Sequence, residues 1–127
     1  MSEVDVSENI IDVISQCYIL GNNVEWENIS EGIRRKILGF DNNLMMTLVE
    51  FKKNSKGSVH NHPHRQVTYI IHGSFEVQID NKKKILEEGD SFFVPPSIKH
   101  GVVALEDALL VEVFSPSRED FLKKYIA

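Results

Sequence analysis

VHNHPHRQVTYIIHG, residues 59–73, holds four of the five histidines of this chain, and the fifth, His100, follows the pair Pro95-Pro96. Side chains alternate along an extended strand, so His60 and His62 share a face and Gln66 has the same parity. Three imidazoles and an amide oxygen can then converge on one cation. An H-x-H pair alone is a weak motif, because a polar loop rich in histidine has the same spelling. The context favours the metal: Gln66 opens an apolar run just after His60 and His62, and His100 stands at the mouth of another. Two rigid strands would thus deliver the ligands. His64 and His72 share the parity of His60 but are not counted as ligands. The turn at Pro63 can redirect His64, which is expected either behind the ligands or at the rim of the site, and His72 sits at a hairpin beside Gly73.

Outward from this stretch the chain is a series of short β-type runs, at 33–38, 44–51, 66–71, 74–79, 83–86, 91–94, 100–105 and 108–114. Turn signals break them at 39–43, 54–57, His72-Gly73, Asp80-Asn81, Gly89-Asp90 and Pro95-Pro96. Such punctuation predicts an all-β sandwich or barrel of antiparallel sheets. At the N-terminus, Ile10, Ile11, Ile14 and Cys17 recur at helical spacing behind Ser7, which predicts a short helical arm packing over the barrel or a partner subunit. At the C-terminus, Ser117 followed by Glu119 and Asp120 reads as the capped start of a helix carrying Phe121, Leu122, Tyr125 and Ile126. The expected organisation is one domain: a helical arm over 1–17, a barrel over 18–116 and a helix over 117–127.

The 127 residues suffice for one core without a metal to fold around, so any metal is functional. Apolar residues make up 42% and charged ones 26%, ordinary values for a water-soluble fold. A net charge of −5 with scattered Lys and Arg argues against nucleic acid, which needs a basic face. Cys17 stands alone, so no internal disulfide forms. The start, MSEVDVSENI, lacks a signal peptide's basic flank and apolar stretch, and no segment has the length of a membrane span. A cytoplasmic protein is expected.

The two histidine regions resemble the paired motifs of the cupin superfamily. His60, His62, Gln66 and Gly73 follow the first motif, and Gly89, Pro95, Ser97 and His100 follow the second. Gln66 stands where the general motif has Glu, Ser97 where it has Gly, and Ala104 where it has Asn; the leading Gly is displaced to Gly57. No histidine ligand is lost. The resemblance implies a cupin jelly-roll barrel around one divalent transition metal. Zn, Ni, Fe and Mn all suit imidazole and amide ligands. Gln66 either binds the ion or hydrogen-bonds a water on it. As a ligand it brings no charge, leaving a strong Lewis acid for anionic oxygens.

Downstream, Glu112 interrupts the apolar run 108–114. A carboxylate there either faces a wet cavity, where it can serve as general acid or base, or lies on a solvated outer face. Arg118 either clamps an anionic substrate or caps the terminal helix against Glu119. Of Arg34 and Arg35, alternation turns one inward, as a second cationic contact. Tyr69 is expected to pack against a neighbouring sheet, and Met45, Met46, Phe51, Phe92, Phe93 and Phe114 to form core or pocket wall.

This tail, with Trp26-Glu27, GIRRKILG at 32–39, Leu44-Met45 and HPHRQVTY at 62–69, resembles the small pectin-degradation cupins of the KdgF type over about residues 18–122. That resemblance implies conversion of 4,5-unsaturated uronates to open-chain keto sugars. It implies His60, His62, Gln66 and His100 as metal ligands, and Glu112 and Arg118 as the catalytic pair. From their place in the strands, Arg34, Arg35 and Phe114 are expected toward substrate. Glu112 stands where that group has Asp. The implied partners are a small anionic sugar and a second copy of the chain. Two other classes share these motifs: a ligand-sensing cupin without turnover, and an Fe(II) dioxygenase, which would consume oxygen.

Overall fold

Alternating burial along the short runs builds two facing sheets in a computed structural model, which describes residues 4–5 and 14–125. The strands are β1 (Val4–Asp5), β2 (Ile14–Ser15), β3 (Glu27–Ser30), β4 (Ile33–Phe40), β5 (Met45–Phe51), β6 (Lys56–His60), β7 (Arg65–His72), β8 (Ser74–Ile79), β9 (Lys82–Glu87), β10 (Ser91–Val94), β11 (His100–Ala104) and β12 (Ala108–Ser115). One sheet has the order β10-β7-β12-β5-β4-β3, the other β6-β11-β8-β9, and β1 pairs with β2. All pairings are antiparallel. The sheets pack as two layers rather than as one closed barrel.

Between them, Ile33, Val49, Phe51, Ile70 and Leu110 of the larger sheet meet Phe75, Val77 and Ala104 of the smaller. The Phe51 and Phe75 rings join the layers edge to face at 5.1 Å. Each such side chain contributes roughly 1.5–3 kcal/mol when fully buried. A second cluster, Ile37, Phe40, Met45, Phe114 and Leu122, closes the end of the sandwich under the C-terminal segment. The Asp80-Asn81 turn joins β8 to β9 as expected, with Asp80 at positive φ and Ile79 paired to Lys82.

Several local expectations yield to tertiary pairing. The helix expected over 7–17 falls largely outside the described residues; within them, Ile14–Ser15 is a strand. The Ser15 hydroxyl bonds both the carbonyl and the amide of Phe40, which holds this segment extended beside β4. The C-terminal helix is a 3-10 helix over Glu119–Tyr125, and the last two residues lie outside the described part. Ser117 does not cap it: its hydroxyl donates to the Asp41 carbonyl, and its amide to that of Asn42. β3 has no counterpart among the expected runs, and β6 begins inside the expected turn at 54–57. Tyr69 is 49% exposed, and Met46 and Phe93 lie on the same outer face, so none of the three belongs to the core.

Gly73 joins β7 to β8 at φ +85°, and a Cβ there would lie 2.6 Å from the Ala108 Cβ and 2.7 Å from the Asp107 carbonyl oxygen. Gly73→Ala combines a disfavoured backbone with a clash against main chain, and is expected to cost roughly 2 kcal/mol or more, read as a lower urea midpoint at unchanged slope.

Candidate metal centre and its cavity

The expected metal ligands meet through a change of sheet rather than through alternation along one strand. β6 ends at His60 in the smaller sheet, Gln66 lies in β7 of the larger, and the chain crosses between them carrying His62. His100 opens β11, in register with His60 on β6. The ligating atoms of His60, His62 and His100 lie within 4.8 Å of one another.

Backbone carbonyls set the tautomer of each ring. Nδ1–H of His60 donates to Ser58 at 2.7 Å, that of His62 to His64 at 3.1 Å, and that of His100 to Ile98 at 2.9 Å. Every Nε2 is then left with a lone pair for the common centre. Two observations show that this donor set fits a cation. Nε2 of His62 faces Oε1 of Gln66 at 3.0 Å, two acceptors whose opposition a shared cation relieves. Nε2 of His100 is buried with no hydrogen-bond partner. Burial holds the His100 pKa down at about 4, and burial with the nearby Arg118 charge lowers that of His62. Both rings are neutral near pH 7, so a metal displaces no proton from them.

Gln66 is oriented from behind. Its amide nitrogen donates to Thr68 Oγ1 at 3.0 Å and to Glu112 Oε2 at 3.1 Å, which turns the carbonyl oxygen toward His62. Glu112 also accepts from the Thr47 hydroxyl at 3.2 Å. It points inward, on the row of Leu110 and Phe114, and is paired across the sheet with Thr47 and Thr68. Burial pushes its carboxyl pKa up, against the opposing pull of the Thr47 bond and the charges of Arg118 and Arg35. A carboxyl whose pKa is raised beside a candidate metal site is a candidate for proton transfer.

These groups open into a cavity of about 340 Å³ lined by His60, Gln66, Glu112, Phe114, Arg35, Lys56, Arg118 and Phe121, among others. That volume accommodates a monosaccharide. Arg118, only 9% exposed, is held by Asp120 through a two-pronged ion pair at 3.0 and 2.8 Å, not by Glu119. Arg35 faces the cavity and pairs with Glu27 at 2.7 Å. Arg34 takes the opposite face, paired with Glu50 over the Trp26 ring, and does not line the cavity. Of the two places expected for His64, the structure has the one behind the ligands: it is buried, and its Nε2 bonds Glu119 at 3.0 Å, tying the crossing to the 3-10 helix. His72 is exposed beside Glu88, away from the centre. Sequence reasoning missed Glu27, Asp120, Phe121, Thr47 and Thr68. Only the threonines carried a signal, as hydroxyls at inward parity in apolar strands.

His100→Ala removes a ligand and is expected to weaken metal binding by more than about 100-fold, measured by elemental analysis after dialysis and by loss of the metal-induced rise in Tm. Acid should act on the metal-free protein through the same residue. Its pKa drops from 6.5 to about 4 on folding, so the unfolded chain binds the proton more tightly. The stability this group contributes is complete above pH 6.5 and is lost as the pH falls toward 4. The Tm of chelator-treated protein is expected to fall across that window, and His100→Asn to make the fall shallower.

Comparisons with known proteins agree with this architecture. The family model described as "Cupin domain" matches residues 47–115. The pectin degradation protein KdgF of Dickeya dadantii is 42% identical over 107 residues, 83% of this chain and 97% of that protein. Among solved structures, an RmlC-like cupin from Shewanella frigidimarina aligns at TM-score 0.83 and 44% identity, covering 85% of this chain and 97% of its own. KdgF from a Halomonas species aligns at TM-score 0.81 and 37% identity, covering 84% and 99%. With its two sheets, its histidine set and these relatives, the chain belongs to the cupin family, alongside KdgF.

Proposed function

We propose that this protein is a metal-dependent enzyme that opens the ring of 4,5-unsaturated uronates to keto sugars, as part of pectin or alginate breakdown. The observation that carries the reading is the placement of an inward carboxyl, Glu112, on the amide of Gln66 beside the histidine set, in a sugar-sized cavity with arginines on its wall. The 42% identity to a pectin degradation protein supports it.

His60, His62, Gln66 and His100 would hold one divalent ion, with Zn, Ni, Fe and Mn all compatible. Bound there, the ion supplies Lewis acidity toward anionic oxygens, undiminished by its neutral ligands. Arg118 and Arg35 hold the uronate carboxylate, and Phe114 walls the ring. The reaction is an isomerisation. The bond from C1 to the ring oxygen breaks as the C1 hydroxyl loses its proton to Glu112, giving an aldehyde at C1 and an enolate at C5. The enolate becomes a ketone when the same proton is delivered to C4. Glu112 thus accepts one proton and returns it, so that none is gained or lost. Nothing is oxidised, so oxygen is not required.

An anaerobic assay with unsaturated galacturonate, following loss of the ultraviolet absorbance of the double bond, is expected to exceed the spontaneous rate in metal-loaded protein. A rate no higher than the spontaneous one sinks the reading, and an absolute need for oxygen would replace it with a dioxygenase. Glu112→Gln is expected to keep its metal and slow turnover by roughly 10²–10⁴.

The enzyme is placed in the cytoplasm, in keeping with its single unpaired cysteine, and is taken to work as a homodimer. Val67, Tyr69, Ile71, Phe93 and Met46 are exposed on the outer face of the larger sheet, with Phe93, Val67, Val113 and Met46 adjacent across four strands. They form a continuous apolar patch of the kind that a second copy of the chain would cover. Tyr69→Lys with Phe93→Lys should give monomers in sedimentation, where the unchanged protein sediments as a dimer.

A further inference from the structure

Both cavity arginines already carry carboxylate partners, and both lean on one aromatic ring. The Arg35 guanidinium carbon lies 3.6 Å, and that of Arg118 4.2 Å, from the centre of the Phe121 ring. Arg35 comes from β4 and Arg118 from the segment after β12, so no backbone pairing sets their separation. Glu27 and Asp120 neutralise them from outside, which lets two like charges share one wall. Phe121 itself is half-buried against the cluster of Phe40, Met45 and Leu122, and meets Phe114 edge to face at 5.6 Å. Its ring is thereby fixed in place while its π surface is taken up by cations.

We propose that Phe121 is a positioning residue, the shared platform that holds Arg35 and Arg118 as a two-arginine clamp for one sugar carboxylate. Each guanidinium spends part of its donor fork on its acidic partner and keeps the remaining N–H groups for the ligand. Stacking removes the rotational freedom that a long arginine side chain otherwise loses on binding, so the clamp is formed before the ligand arrives. The platform therefore acts on affinity for the anion rather than on the chemical step. The inference takes the identity of the anion from the uronate reading above, but its test does not depend on turnover.

The probe is saturated galacturonate, titrated calorimetrically into metal-loaded protein, with its methyl ester as the uncharged control. Phe121→Leu keeps apolar packing and removes the π face. It is expected to raise the Kd for galacturonate roughly tenfold, leaving the methyl ester, metal content and Tm nearly unchanged, while Phe121→Tyr restores the affinity. In turnover the same loss should appear in KM with kcat nearly preserved. Unaltered galacturonate affinity in Phe121→Leu overturns the proposal, as does an equal loss for acid and ester. A wild-type protein that shows the binding pattern without turnover refutes the enzyme reading and leaves the clamp standing.

Discussion

The passage of the chain from the end of β6 to the start of β7 is the constraint on which the site depends. In a few residues it leaves the smaller sheet at His60, buries His62 and His64, and enters the larger sheet at Arg65 with Gln66 turned inward. Ligands from the two layers can meet only where the layers are joined so closely. Carbonyls of this passage and of the approach to β11 orient the rings, so the peptide backbone itself chooses which nitrogen faces the centre. His64 secures the other side by bonding Glu119, which brings the 3-10 helix, and with it Arg118 and Phe121, over the cavity.

The inner face of the larger sheet is accordingly divided. Toward one end it is apolar, with Ile70, Leu110, Val49 and Phe51 packed on Phe75. Toward the other it carries Thr47, Thr68, Gln66 and Glu112, all at inward parity and bonded to one another. Left unpaired, each such group would cost about 1–3 kcal/mol; their mutual bonds offset most of that. The raised pKa of Glu112 is the remaining cost, and it is the property a proton-transferring carboxyl needs. The cationic wall follows the same logic, since Arg35 and Arg118 can stand together only because Glu27, Asp120 and the Phe121 ring share their charge.

Much of the fold was legible because antiparallel strands that bury one face write their orientation at period two. The runs containing Leu110 and Ile70 could be read that way, and so could the Asp80-Asn81 hairpin. The reading failed where a remote partner outweighed a local pattern. Ile14 and Ser15, helical by spacing, are held extended by Phe40, and Ser117, a helix cap by type, spends its hydroxyl on Asp41. Tyr69, Met46 and Phe93 are apolar on an outer face, a placement that residue type alone assigns to the core.

By itself, the sequence determined the all-β class, the histidine motifs with Gln66, and the inward candidates along 108–114, since spacing and parity are properties of the chain. Tertiary structure alone decided that His60 and Gln66 meet from different sheets, that Arg35 rather than Arg34 faces the cavity, and that Asp120, Glu27 and Phe121 hold the arginines. Those relations join residues far apart along the chain, or turn on which side of a sheet is covered. No local pattern encodes either, because each is set by how the layers pack.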